Sequence, residues 1–417
     1  MARRPHGRRP DTVRVAALDV QHSYRRSAVV LGPVAVPSAE LLTERLLAMA
    51  RVGPVTRVGL VPSTTDTRWR YEPESVADAV HIASRAPRSD PVELVARLRT
   101  LPESPLRVLA ADDYLAVDFS HGLGEIPLLD LLVGVLLGVL DPADDAVWRP
   151  YRHSAPPLLT AAVRGIVCTP QRLLPLWRQH RRNTGAPAGT GVPSPVVVSP
   201  STATKVLRIP AADVEGFRQQ RNSHLPGVSL FALYTCALHA AFADEGFGVE
   251  PLVTLPVDAR RYLPPGRGVL SSFSAGLDFP IGPGPDPRRL HDALSDAARM
   301  ARPVANLVAG TVKARAAMRA GVRPQWTAPT RPRMHLLHSS VGEVPRCDWS
   351  FTDPDAARIL VASDPAGPCG VTVTTSSVLG TAWLTAEFHD TLFDPDRIGA
   401  AMATVPHRVR ALLSGRR

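Results

Sequence analysis

Ser120-His121-Gly122-Leu123-Gly124-Glu125 sets an imidazole and a carboxylate four residues apart, with a hydroxyl beside the imidazole and glycines between. Histidine is the side chain whose ordinary pKa lies near neutrality, so His121 is the natural proton acceptor of the group, and a nearby carboxylate can fix its loop. The flanking elements place the ring. The run Arg107 to Phe119 leads in, with Leu115, Val117 and Phe119 alternating against Tyr114, Ala116 and Asp118 as in a half-buried strand. Ile126 to Leu140 leads out, rich in Leu and Val with Asp130 its one charged residue, and reads as a buried helix. Gly122 and Gly124 permit a sharp turn between the two. His121 therefore emerges at a strand end, as either a general base or a hydrogen-bonded structural histidine. An open cavity at the ring separates these readings.

At these residues the chain resembles the acyltransferase superfamily that contains chloramphenicol acetyltransferase, nonribosomal peptide condensation domains, polyketide-associated acyltransferases and wax ester synthases. The hallmark of that superfamily is His-His-x-x-x-Asp-Gly, and its second histidine, which does the chemistry, falls on His121. Ser120, Glu125 and Ile126 stand where the first histidine, the aspartate and the glycine would be. Further segments agree in order. Leu41 to Arg57, ending Gly53-Pro54-Val55-Thr56-Arg57, looks like the first family helix and the His-Pro-x-Leu-Arg turn after it. Leu225 to Leu230 followed by Phe231 to Phe242 is similar to a second-lobe helix opened by a Gly-x-Ser turn. Leu255 to Pro264 with Ser271-Ser272-Phe273-Ser274 resembles the Pro-Val-Asn-x-Arg and Gly-Asn-Phe segments, which puts Arg260 at the position of a structural second-lobe arginine. Ser339-Ser340-Val341-Gly342 resembles Ser-Asn-x-Gly, and Val371 to Asp394 resembles the closing strands.

The resemblance implies an α/β fold of two chloramphenicol-acetyltransferase-like sandwich lobes in a V, with His121 in the interlobe channel. It implies an acyltransferase that moves an acyl group from a coenzyme A or carrier-protein thioester to a hydroxyl or amine acceptor, with His121 as general base. In that family a first-lobe arginine pairs with the motif carboxylate, so Arg57 is the implied partner of Glu125, both positioning the loop. Ser339, Ser340 and Thr374, the last in the strand Thr372 to Ser377, are the oxyanion or channel candidates. No cofactor is implied beyond acyl-coenzyme A or an acyl-pantetheine carrier as co-substrate. The implied partners are a thioester donor, a small-molecule or lipid acceptor, and an acyl or peptidyl carrier protein, with the chain a monomer. The departures at Glu125 and Ile126 favour a second reading: a condensation-like protein without catalysis that binds a carrier protein, a lipid or a synthase partner.

At 417 residues the chain exceeds one ordinary core, and 45% hydrophobic residues suit a globular body. The densest Pro and Gly stretch, Thr184 to Pro200, reads as an interlobe linker. It divides the chain into a basic disordered tail (1–11), an N-terminal lobe (12–183) and a C-terminal lobe (201–417). In the first lobe, strands are expected at Val13 to Val20, Ala28 to Leu31 and Val55 to Leu60, with helices from Ser38 and at Pro91 to Arg99. The second lobe should hold helices at Ala211 to Asn222, Ser229 to Ala243 and Pro287 to Ala320. Its strands should lie at Val253 to Leu255, Ser274 to Asp278, Val371 to Ser376 and Trp383 to Phe388.

The net charge of +10 comes almost wholly from arginine, with Lys205 and Lys313 the only lysines, as a high-GC coding background would give. Aromatics make up 5% and do not interleave with the arginines, which argues against a nucleic-acid partner. Leu158 to Arg182 mixes an apolar stripe with Arg164, Arg172, Arg178, Arg181 and Arg182. It reads as a first-lobe helix with a solvated arginine face, or as a peripheral membrane-surface helix. Cys168, Cys236, Cys347 and Cys369 lack Cys-x-x-Cys spacing and histidine partners, so no metal site is expected and a cytoplasmic location fits. Gly282-Pro283-Gly284-Pro285 cannot cradle phosphate because its prolines remove amide donors, and no Gly-x-Ser-x-Gly elbow is present.

Overall fold

The hairpin that leads to His121 consists of two strands buried along their whole length, and its surroundings explain why. The computed structural model describes residues 11–83, 90–172, 196–321, 326–344 and 348–415. In the first half, β1 (Arg26–Gly32), β2 (Val80–Ile82), β3 (Leu106–Ala111) and β4 (Tyr114–Ser120) form most of a five-stranded sheet. Helices cover both faces. Leu115, Val117 and Phe119 of β4 face one core shared with α2 (Ala39–Arg51) and α4 (Ile126–Leu137). Tyr114 and Ala116 face another with Leu94, Val95 and Leu98 of α3 (Pro91–Thr100). Asp118 is the exception, and it is matched by Arg26 at 2.8 Å and Arg107 at 3.3 Å. The alternation in the sequence thus marks two buried faces, one of them partly ionic.

Local chemistry sets the helix starts. Ser38 caps α2 through the Leu41 amide, and Leu42, Leu46, Met49 and Ala50 form its buried stripe. Gly138, at φ 82°, ends α4 in the left-handed region.

The second half supplies β5 (Thr202–Ile209), β6 (Val249–Asp258), β7 (Ser274–Pro280), β8 (Met334–Glu343), β9 (Arg358–Ser363), β10 (Gly370–Val378) and β11 (Thr381–His389). Six of these form one sheet in the order β7-β6-β8-β10-β11-β5, with β6, β8 and β10 parallel. Val371, Val373, Leu384, Ala386 and Phe388 pack one face against the helices Leu230–Asp244 and Pro395–Ala403. The other face is polar and turns toward the first lobe. The seventh strand, β9, leaves this sheet and pairs antiparallel with β1, Leu360 opposite Val30. A segment of the second half thus completes the first sheet. Arg99 of α3 ties the halves further by reaching Glu387 of β11 and, at 3.5 Å, Asp364.

Several expected elements differ. Val13 to Val20 is a short strand, Thr12–Arg14, followed by helix α1 (Ala17–His22), because Asp19 accepts the Ala16 amide at 3.2 Å and starts a helix there. Val55 to Leu60 is a 3₁₀ turn at Pro54–Thr56 and a two-residue strand, Leu60–Val61, separated by Arg57 at φ 64°. The single helix Pro287 to Ala320 is two, Pro287–Arg299 and Arg302–Arg319, broken at Ala301 with φ 55°. Within Leu158 to Arg182, a short helix at Pro157–Ala162 runs into a π turn, Val163–Val167, and a 3₁₀ turn at Pro170–Arg172. Residues 173–182, most of the linker and residues 1–10 of the tail lie outside the described residues. No helix among the described residues is long and apolar enough to cross a membrane.

Candidate active site

His121 begins the turn after β4, and every backbone step of that turn is fixed. Ser120 Oγ donates to the Ser23 carbonyl at 2.9 Å, and the His121 amide donates to the Arg25 carbonyl at 2.7 Å. A Cβ on Gly122 would lie 2.5 Å from the Asp19 carbonyl oxygen, and one on Gly124 would lie 2.6 Å from that of Leu270. The turn therefore needs glycine at both positions for space. Ser120 ties the strand end to the α1–β1 connection.

Arg57 holds the same turn from below. Its Nη2 donates to the Gly122 carbonyl at 2.8 Å and to Asp19 Oδ2 at 3.0 Å, and its Nε donates to the Leu123 carbonyl. Asp19 is 1% exposed. Arg57 is thus a loop-positioning residue, but the expected Arg57–Glu125 pair is not formed. Asp19 takes the arginine, and Glu125 turns to the second lobe.

Glu125 Oε2 accepts from Arg260 Nη1 at 2.9 Å and from Ser274 Oγ at 2.9 Å, while Oε1 accepts the Ser274 amide at 3.2 Å. Its own amide donates to the Leu270 carbonyl at 3.1 Å. Arg260 also donates to the carbonyls of Val269 and Ser271 and to Asp258. Arg260, expected only as a structural second-lobe arginine, is the partner of the motif carboxylate. The extra methylene of glutamate over aspartate, about 1.5 Å of reach, suits a pair that spans the lobes. Burial raises the Glu125 pKa, but Arg260, His121 and Ser274 together outweigh it, and the carboxyl is held below its ordinary value. Glu125 is ionised at neutral pH.

The imidazole sits half-buried above this pair. Nδ1 lies 3.3 Å from Ser27 Oγ, which is 2.9 Å from Ser363 Oγ on β9. The His22 ring stands edge-on, centroids 5.3 Å apart. Burial, His22 and Arg25 draw the His121 pKa down from 6.5 to about 3, against smaller opposing effects of Glu125 and the Gly124 carbonyl. The ring is therefore neutral at physiological pH, the form that accepts a proton. In the tautomer whose Nδ1–H donates to Ser27, the lone pair lies on Nε2.

His121 lines a cavity of about 310 Å³ between the lobes. Glu125 and Ile126 come to it from the first lobe, and Arg260, Ser339, Ser340 and Thr374 from the second. All the expected site residues except Arg57 reach this wall. Thr372 joins them, its Oγ1 buried and without a hydrogen-bond partner among the described residues. His22, Arg25, Ser27, Ser274 and Ser363 also line it and were not expected. Their sequence signal is slight: His22 to Ser27 is a polar stretch before an apolar strand, and only the fold brings it beside residue 121. Among the described residues, no group of three or more His, Cys, Asp or Glu is placed to hold a metal. Cys168 is exposed, Cys236 buried and Cys369 intermediate, all with free thiols, and Cys347 lies outside the described residues.

Solved structures share this architecture over nearly the whole chain. The trichothecene 15-O-acetyltransferase TRI3 from Fusarium sporotrichioides superposes with a TM-score of 0.64 at 11% identity, covering 96% of this chain and 95% of that one. The fold is that of condensation domains and chloramphenicol acetyltransferase-like acyltransferases. The condensation domain of the monacolin K polyketide synthase MokA matches with a TM-score of 0.58 at 13% identity, over 97% of this chain and 98% of that one. The first condensation domain of the calcium-dependent antibiotic synthetase gives 0.56 at 13% identity, over 95% and 94%. No family model matches the chain, and no curated protein matches it by sequence. Within this acyltransferase-like fold, the cavity at His121 occupies the junction of the lobes.

Proposed function

We propose that the protein is a thioester-dependent acyltransferase with His121 as its general base. The observation that carries this reading is the neutral His121 ring on the wall of an interlobe cavity, its Nδ1 facing Ser27. The acceptor hydroxyl or amine gives its proton to Nε2 as its heteroatom attacks the thioester carbonyl. The tetrahedral oxyanion needs a hydrogen-bond donor, for which the hydroxyls of Thr372, Thr374 and Ser339 are the candidates on the facing wall. Collapse breaks the C–S bond, and the imidazolium returns its proton to the thiolate. No acyl-enzyme forms. Glu125 stays with Arg260 and holds the turn without touching substrate.

The donor is coenzyme A or the pantetheine of a carrier protein, and the condensation domains that share the fold favour the carrier. The test incubates the purified chain with acyl-coenzyme A and acylated carrier protein, alone and with alcohols and amines, following the melt, free thiol and product mass. A bound donor at about 100 times its dissociation constant adds roughly 2.7 kcal/mol of stability. Stabilisation with thiol release and a mass-verified ester or amide supports the transferase. Stabilisation without product from any acceptor refutes it in favour of a binding protein.

A further inference from the structure

Acyl transfer at His121 leaves one end of the cavity unexplained. His22 and Arg25 line it on the connection from α1 to β1, and the proposed mechanism uses neither. The cavity's charges balance in sum but not in place. Arg260 faces both Glu125, at 2.9 Å, and Asp258, at 3.1 Å, whereas Arg25 makes no salt bridge among the described residues. Its Nε and Nη2 donate to one main-chain carbonyl, that of Asp364, at 3.2 and 2.7 Å, and the rest of its five donors have no partner among the described residues. The Asp364 carboxylate is engaged by the Arg26 amide at 2.8 Å and by Arg99 at 3.5 Å. Burial draws the Arg25 pKa below its ordinary value, with Tyr24 and Asp364 opposing only in part. The His22 ring makes no hydrogen bond among the described residues, and burial, aided by Arg25, lowers its pKa to about 4, so it is neutral with one N–H to give.

Arg25 and His22, both half-buried on the wall of one cavity, carry donors that meet no acceptor among the described residues, which suits an acceptor-rich ligand. We propose that His22 and Arg25 form a subsite for a carboxylate carried by one of the two substrates, on the acyl chain or on the acceptor. This assignment rests on the transfer chemistry proposed for His121, and it names the substrate class.

Paired anionic and neutral probes separate the two sources. In the donor arm, succinyl-pantetheine is compared with butyryl-pantetheine, using a neutral alcohol as acceptor. In the acceptor arm, 4-hydroxybutanoate is compared with pentan-1-ol, using acetyl-pantetheine as donor. The wild-type protein should prefer the anionic member of one pair by about 10- to 100-fold in kcat/KM, the range of a charge-assisted hydrogen bond. Arg25→Gln should cut that ratio by about tenfold or more, and Arg25→Lys should restore part of it, with the melt of each variant reporting folding. Wild-type turnover of both members of both pairs at equal kcat/KM overturns the subsite while leaving the transferase standing. Absence of thiol release from every pair overturns the transferase, and the subsite falls with it unless wild-type melting still separates the anionic from the neutral probe.

Discussion

Glu125 and Arg260 join the two lobes directly beneath the base, so weakening that pair should register in both stability and rate. Glu125→Gln keeps the length and the Ser274 hydroxyl contact but removes the charge that Arg260 faces at 2.9 Å and sets an NH2 against the Ser274 amide. The side chains are 11% and 13% exposed, so solvent screens little of the interaction. Full loss of a buried ion-pair partner costs about 3–5 kcal/mol. Here Arg260 keeps Asp258 and two carbonyls, which brings the expected cost nearer a charge-assisted hydrogen bond, about 2 kcal/mol. A chain of 417 residues unfolding as one unit has an entropy of about 0.9 kcal/mol/K, so the melting temperature should drop by about 2 °C. Chemical denaturation of Glu125→Gln, Arg260→Gln and the double variant should give a coupling of about 1–2 kcal/mol. The same cycle with Arg57→Gln should give a smaller one, because Arg57 is engaged with Asp19. Coupling to Arg57 that exceeds coupling to Arg260 would refute the interlobe pairing.

Ser27→Ala removes the partner of His121 Nδ1, and kcat should fall about five- to tenfold with KM little changed and Thr restoring much of the loss; an unchanged kcat would remove Ser27 from the site. The acid limb of kcat/KM should lie below pH 5, because a base whose pKa is lowered from 6.5 to about 3 keeps its active form as pH falls; a limb near 6.5 abolished with His121 would contradict this environment. His338 is fully buried between Thr235 and Thr375, with its pKa lowered by burial to about 3. The unfolded chain therefore binds a proton below pH 6.5 that the folded one refuses, and stability is lost as pH falls from 6.5, by about 2 kcal/mol at pH 5. His338→Gln should lessen the slope of the stability curve between pH 6.5 and 4.5 by about one proton's worth, with His121 and His22 keeping their shares, and an equal slope in both proteins would remove His338 from the account.

The turn at His121 was legible because its logic is local: a strand end, two glycines and an apolar helix start are all contiguous in sequence. Strands β1, β4, β6, β7, β10 and β11 and most helices around the site were legible for the same reason. What escaped depends on distant partners. Whether Arg57 pairs with Glu125 or Asp19 is decided by α1, whose helical turn at Asp19 hides in a stretch that reads as a strand. Strand β8 escaped notice because polar residues occupy both of its faces: His338 inside, stacked on Phe231 at 4.5 Å, and Ser339 on the cavity. Strand β9 completes the first sheet from more than 300 residues beyond β1, a pairing that no local pattern encodes.

The most direct measurement is single-turnover release of thiol from an acyl-pantetheine carrier, with an acceptor present, in the wild type and in His121→Ala variants that melt at matching temperatures. Loss of the positioned base should slow acyl transfer by about 10²- to 10⁴-fold while donor-induced stabilisation persists. Transfer by His121→Ala at a rate within a few-fold of wild type would contradict the assignment of the base.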